Sequence, residues 1–446
     1  MHTACMMLLR FTVENHRCFR DEVTLELVSS TLKTQRPAAG GWLDHLHPVA
    51  GIFGANASGK SSVLDAMAFA REAVRSSASE WLAYKRTPHV PFRLDGRQPQ
   101  APSRYRFDII IDGVRCEYGF GVTAAGIESE WLVDYPNGRR RLLFDRLAGR
   151  DDVFDFGRAL TRPAAVAAAV SPRELLLSRG ALLGHPQLSK VARALTEELD
   201  LALFGEPHQQ QRIQAIIDAL LEGSTSFDEI VTLLRVADIG IERVALREEE
   251  VPEPLRRLLR ALNESISPPS ADGEEDGEQL AVSEVRHRLE FYHAGQSDGD
   301  RALGLGDESS GTISWLSLAV PAVEALRRGS VLLIDEIDAS LHPQLSSLLI
   351  GMFLDRDINR RGAQLVFTSH DTFLLTPGSE APLHAEQVWF TEKGVDGASD
   401  LYCLAEFTHR TTDNVARRYL AGRYGAVPRL APSLLRGLFE ASPKEG

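Results

Sequence analysis

The feature that most constrains this chain is the octapeptide at residues 54–61, GANASGKS, which fills every fixed position of G-x-x-x-x-G-K-[ST]. The pattern makes a phosphate site only between a buried strand and a helix. Residues 49–53, VAGIF, read as that strand and residues 62–74 as that helix. Glycines let successive backbone N–H groups turn inward and cradle phosphate oxygens at the positive end of a helix. The phosphate-binding set is then Gly54, Ala55, Asn56, Ala57, Ser58, Gly59, Lys60, Ser61 and Ser62. Lys60 is placed to reach the β- and γ-phosphates and the Ser61 hydroxyl to ligate Mg²⁺. A chance glycine-rich turn is the alternative, and the flanking strand and helix argue against it.

A chain of 446 residues has room for two to three domains. With 43% hydrophobic and 25% charged residues it is globular and builds a core. No apolar run is long enough to span a bilayer. Residues 1–19 lack a basic stretch followed by an unbroken apolar one, so no signal peptide is expected either. Cys5, Cys18, Cys116 and Cys403 are too scattered for a zinc site or a disulfide framework, which points to a reducing cytoplasm. A formal charge of −13 argues against a chain that coats nucleic acid. A local basic groove stays open, and the best basic cluster is NGRRR at residues 137–141.

Taken in order, residues 7–14 and 22–27 alternate as a first hairpin. Residues 103–111 and 115–123 form another around Asp112-Gly113, and residues 128–135 and 140–144 a third around Pro136-Asn137-Gly138. The expectation is an antiparallel sheet beside the phosphate site. From residue 151 to about 261 the patterns turn helical, at 173–177 and 191–203 among others. Ile213, Ile216, Ile217, Leu220 and Leu221 fall on one helix face. Residues 265–279 carry almost no apolar side chain and read as an acidic disordered loop. Residues 283–292 read as a strand or short helix. The expected divisions are 1–150, a helical lobe at 151–264, the acidic loop at 265–282, a second half of the core at 283–430 and a tail at 431–446.

Residues 330–336, SVLLIDE, have the form of a buried parallel strand ending in two carboxylates, at the tip where open α/β sheets place ligands. Asp335 there would hold Mg²⁺ through its water shell, and Glu336 would act as general base on the attacking water. Residues 308–312, ESSGT, precede a helix at 313–327. Ser310 and Gly311 at its N-terminus suit a phosphate, although alone they would be an ordinary cap. Residues 364–370, QLVFTSH, end in His370, whose imidazole can hydrogen-bond a γ-phosphate; alone it would be a strand end at the surface. Asp355 and Asp357 follow a helix at 343–354 and read as helix-end charges.

Together GANASGKSS, ESSGT, VLLIDEIDASLHP and VFTSHD resemble the ABC-type ATPase heads of the RecF, SMC and OLD group. Within it they are most similar to the "AAA family ATPases" of bacterial defence loci, the abortive-infection and RloA-like proteins. The resemblance covers about residues 7–150 and 285–430, with Asn15 and Phe19 in the opening hairpin and residues 419–428 at the close. It implies an α/β fold, an ABC-type P-loop ATPase head (RecF/SMC/OLD-like) with an antiparallel β lobe and an inserted helical lobe. It makes residues 54–62 the Walker A loop, Asp335 the Walker B acid and Glu336 the catalytic base. It makes Ser309, Ser310, Gly311 and Thr312 a signature acting in trans, places Asp338 and Ser340 in the D-loop, and makes His370 the switch histidine. Glu308 and Thr312 depart from LSGGQ, which weakens any analogy to transporters. Gln98 and Gln100 are candidates for the Q-loop glutamine.

The resemblance further implies ATP and Mg²⁺ as cofactors, ATP hydrolysis, and a homodimer or higher oligomer closed around ATP, in the cytoplasm and without a membrane. No nuclease constellation stands out, and the stretch after His370 is short for a TOPRIM domain. The expected function is therefore the ATPase or sensor component of an antiviral, abortive-infection-like system with a separate effector such as a nuclease or toxin. A RecF-like DNA repair or DNA-clamp ATPase is the alternative, and a transporter ATPase a third.

Overall fold

The computed structural model describes residues 6–32, 34–37, 40–150, 152–250, 253, 257, 285–293, 302–408, 414–428 and 431–435. The chain divides into two compact units, Met1–Phe204 with Pro321–Gly446, and Gly205–Val320.

The first unit holds a six-stranded sheet in the order Ser399–Cys403, Val388–Lys393, Val49–Gly54, Gln364–Ser369, Val331–Ile334, Leu199–Ala202. All neighbours are parallel except the outer hairpin of the first two. Val49–Gly54, Val331–Ile334 and Gln364–Ser369 are buried at every position, which is why they read as unbroken apolar runs rather than alternating ones. Parallel neighbours need long crossovers. Among the elements between these strands are the helices Lys60–Ser76 and Pro343–Leu354. Lys60–Ser76 buries Val63, Leu64, Met67, Ala70 and Val74 at helical spacing.

The same unit carries the expected antiparallel sheet, seven strands in the order Val23–Glu26, Met6–Glu14, Ser103–Ile111, Val114–Thr123, Gly126–Asp134, Arg141–Leu147, Phe154–Phe156. Its hairpins turn where the dipeptides foretell. Asp112 and Gly113 take φ 50° and 77°, and Asn137 and Gly138 take 56° and 76°.

The helical lobe does not begin at residue 151. Helices Leu176–Leu182 and Pro186–Glu197 put Leu176, Leu177, Leu188 and Leu195 into the same core as Leu64 and Met67 of the phosphate-loop helix. Residues 191–203 are not one helix either. The helix stops at Glu197, and Leu199–Ala202 pairs in parallel with Val331–Ile334. An open sheet edge offers this short segment a full set of backbone partners, and that outweighs its local helical pattern.

The second unit begins at Gly205. It comprises helices Glu206–Glu222 and Phe227–Val236, an antiparallel sheet of Ile241–Glu250, Val285–His293 and Leu303–Gly304, and the first part of helix Ser310–Arg328. The helical pattern expected up to residue 261 thus gives way to a strand at Ile241. Of the stretch 283–292, the described part is strand, within Val285–His293. Ile213, Ile216, Ile217, Ile230 and Leu234 pack with Leu289, Phe291 and Leu316. Leu221, expected on the same face as Leu220, is 52% exposed. The acidic loop expected at 265–282 lies outside the described residues, and the tail at 431–446 is described only at 431–435. Among the described residues no helix is long and apolar enough to cross a membrane. The first unit is thus a parallel α/β core with an antiparallel β lobe, and a helix-rich segment is inserted in its sequence, the architecture expected from the sequence.

Candidate functional site

Strand Val49–Gly54 feeds the phosphate loop and helix Lys60–Ser76 leaves it. Gly54 has no room for a side chain, since a Cβ there would lie 2.6 Å from the Thr391 carbonyl oxygen. Gly59 enters the helix at φ 112°, and its Cβ would meet Cys18 Sγ at 2.7 Å. The hydroxyls of Ser58 and Thr391 hydrogen-bond at 2.6 Å. Lys60 is buried. Its Nζ donates to the carbonyls of Gly54 at 3.0 Å and Ala55 at 3.1 Å, and to His370 Nδ1 at 3.3 Å. Burial lowers the Lys60 ammonium to about 8, against the opposing pull of Glu336, Asp335 and Asp338. Asn56, Ala57 and Ser61 are exposed, and Ala55 and Ser62 half-buried.

The carboxylates stand at the tip of Val331–Ile334. The Asp335 N–H donates to Ala202 O at 3.1 Å, which ties the tip to the neighbouring strand. Thr368 donates its hydroxyl to Asp335 Oδ1 at 2.6 Å and accepts the Glu336 N–H at 2.7 Å. Glu336 sits at φ 52°, a turn that aims its side chain away from the strand line. Burial raises its pKa, the charges of Asp335 and Asp338 raise it further, and Lys60 opposes them. Both Asp338 oxygens accept the His370 N–H at 3.3 Å. Burial and then the Lys60 charge push the His370 imidazole below its usual range, toward the neutral form. Ser340, exposed, takes φ 61°.

Asn56, Lys60, Ser61, Glu336 and His370, with Cys18 at the rim, line one cavity of about 660 Å³, a volume that suits a small ligand. Residues separated by more than 300 positions in sequence thus meet at the C-terminal ends of interior strands. Ser61 and Asp335 are hard oxygen donors, and among the described residues no group of three or more His, Cys, Asp or Glu could hold a metal. That set fits Mg²⁺, which keeps several waters and takes phosphate oxygens rather than a full protein cage.

The signature residues lie in the second unit or at its helix. Ser309 caps helix Ser310–Arg328: its Oγ accepts the Thr312 N–H at 3.1 Å and bonds the Thr312 hydroxyl at 2.9 Å. Thr312 is buried, Gly311 half-buried, and Ser310 exposed at the first position of the helix. Glu308 bonds His293 at 2.8 Å instead of facing solvent. Gln98 and Gln100 do not line the cavity; they flank a turn whose Gln98 carbonyl accepts the Asn15 side chain at 2.9 Å. Asn15 also donates to Ala101 O at 2.9 Å and accepts the Phe92 N–H at 3.0 Å, so it fastens the opening turn rather than reaching the cavity. Phe19 is core. Cys18, Thr368 and Thr391 escaped the sequence reading. Thr368 stands inside the VFTSH run, but nothing in that run announces which carboxylate it would meet.

The protein family described as "AAA domain, putative AbiEii toxin, Type IV TA system" matches residues 49–376. No curated protein matches the chain. Among solved structures it is similar to an Smc head bound to the C-winged helix domain of ScpA, at 14% identity over 89% of this chain and 97% of that one, with a TM-score of 0.37. It is also similar to an Smc head domain with an extended coiled coil bound to the C-terminal domain of ScpA from Pyrococcus furiosus, at 14% identity over 89% and 96%, with a TM-score of 0.35.

Proposed function

This chain belongs to the family of AAA domains whose model spans its residues 49–376, and from that premise we propose that it is an ATP-hydrolysing switch built from two copies of itself. Lys60 and the loop amides hold the β- and γ-phosphates. Ser61 and Asp335 would hold Mg²⁺, which would supply neutralisation of phosphate charge. Glu336 accepts a proton from the attacking water, and its raised pKa brings it nearer the working pH. His370, neutral and beside Lys60, hydrogen-bonds the γ-phosphate. The observation that carries the reading is the convergence of Lys60, Glu336 and His370 on one cavity whose described lining contains no arginine. Developing charge on the γ-phosphate then needs further donors. The exposed Ser310 hydroxyl and the N–H groups that open helix Ser310–Arg328 suit that task when a second copy supplies them. Asp338 and Ser340 belong to the same face of the dimer.

The family description names a toxin and a type IV toxin–antitoxin system. That supports an antiviral or abortive-infection role in which ATP turnover gates a separate effector, such as a nuclease or toxin, by differential affinity between nucleotide states. The test of the catalytic core is Glu336→Gln. It should keep ATP bound and slow hydrolysis by about 100-fold or more. Normal turnover by that variant would transfer the base role to another residue and end this mechanism.

A further inference from the structure

Two buried threonines flank the phosphate-loop strand, and no motif names either. Thr391 lies on Val388–Lys393, opposite Gly54 in register. Thr368 lies on Gln364–Ser369, the strand on the other side, opposite Ile52. Both are 0% exposed. A buried hydroxyl must find a partner or carry the full cost of losing water, and these two find different ones. Thr391 bonds the Ser58 hydroxyl at 2.6 Å, on a residue itself only 2% exposed. It also presses on Gly54, where a Cβ would lie 2.6 Å from its carbonyl and its side-chain oxygen alike. Thr391 therefore touches the loop at its first residue and again four residues on. The Thr368 hydroxyl bonds the carboxylate turn instead. Thr368 donates to Asp335, accepts the Glu336 N–H, and receives the Ile337 N–H on its carbonyl at 3.0 Å.

We infer that Thr391 and Thr368 are positioning residues with separate tasks. Thr391 sets nucleotide affinity by holding the phosphate loop in its binding shape, and Thr368 sets turnover by aiming Asp335 and Glu336. The inference rests on the ATPase reading above. Neither threonine lines the cavity, so each acts through the residues it holds. Loop amides bind phosphate well only if they already point inward, and an unpartnered Ser58 hydroxyl would favour a shifted loop. The strained turn at Glu336 persists only while its surroundings fix it, and a general base displaced by an ångström loses much of its rate.

Steady-state ATP hydrolysis and equilibrium nucleotide binding on the full chain test this with Thr391→Val, Thr391→Ser, Thr368→Val and Thr368→Ser. Thr391→Val should weaken ATP binding and raise KM about tenfold, equivalent to about 1.4 kcal/mol, with kcat within about twofold of the parent. Thr368→Val should lower kcat about tenfold or more and leave affinity within about twofold. Each serine variant keeps the hydroxyl and should lie close to the parent. A serine variant as impaired as its valine counterpart would assign the effect to methyl packing and overturn the inference. So would two valine variants that move the same constant. Lys60→Ala in the same binding assay separates the two levels of argument. If it abolishes binding while both valine variants behave as the parent, the ATPase reading stands and this inference falls. If Lys60→Ala still binds ATP, the reading itself falls.

Discussion

The parallel sheet and the unit at Gly205–Val320 solve different physical problems. At the sheet tips, polar groups are fixed by bonds between segments far apart in sequence: Thr368 to Asp335 and Glu336, Thr391 to Ser58, Lys60 to His370. In the second unit the core is aliphatic and aromatic, with Ile213, Ile217, Ile230 and Leu234 against Leu289 and Phe291. Its polar groups pair around that core, in the reciprocal cap of Ser226 and Glu229 and in ion pairs between strands such as Arg247–Glu290 and Arg286–Glu249. The first region is specified by chemistry and the second by volume and pattern. Substitutions should therefore damage function before stability in the one, and stability before function in the other.

The largest effect should come from Lys60→Ala, which removes a buried charge from the cavity. ATP affinity should fall by about 100-fold or more, with little change in melting midpoint. Calorimetric titration that finds parent-like affinity would break the comparison at its strongest point. Ile230→Ala is the counterpart. It opens a cavity in the second unit and should cost about 2–3 kcal/mol of stability while ATP affinity stays near the parent value. Denaturant melts and nucleotide titration of one sample check both halves. A loss of affinity without loss of stability would show that the second unit is not held by packing alone.

Much of this division was legible beforehand, for a physical reason. Phosphate chemistry needs fixed residue types at fixed offsets, so residues 54–62, Asp335, Glu336 and His370 announce themselves, and their strands and helices follow the expected bounds closely. Packing leaves weaker marks. Leu199–Ala202 shares its pattern with the helix before it, and only the free edge beside Val331–Ile334 makes it a strand. Leu221 has the hydropathy of a core residue but stands just off the buried stripe. Thr368 and Thr391 were illegible because their partners depend on strand order, which no local run encodes. A deletion of residues 151–261 to remove the helical lobe would for the same reason cut away a strand of the sheet and two core helices.

Two smaller effects sharpen the comparison. Ser310→Arg places a bulky charge at an exposed helix start in the second unit. It should leave nucleotide binding within about threefold but lower turnover by at least about tenfold. Mixing it with Lys60→Ala should rescue at most one composite site per dimer. Normal turnover by either variant alone would remove the trans role of the signature.

The smallest effect is with pH. Burial brings the Lys60 ammonium down to about 8 in the fold, from the 10.5 of a lysine in water. Between these values the unfolded chain holds more protons, so the stability of the nucleotide-free fold rises with pH across that window, and below it the burial cost is fully present. Phosphate favours the charged ammonium. ATP affinity should therefore be nearly full at pH 7 and decline through pH 8, by roughly tenfold between pH 7 and pH 9. Titrations in buffers of different ionisation enthalpy should show proton uptake at the upper end, and an affinity independent of pH would contradict the burial of Lys60.

In the proposed cycle two copies of the chain close around ATP and reopen on hydrolysis. Light scattering of Glu336→Gln with and without ATP and Mg²⁺ tests it most directly, because that variant should bind ATP without consuming it. The variant should show a monomer mass without nucleotide, twice that mass with ATP, and a return to monomer when Ser310→Arg is added to the same chain. A single unchanged mass under saturating ATP, with nucleotide demonstrably bound, would contradict this cycle.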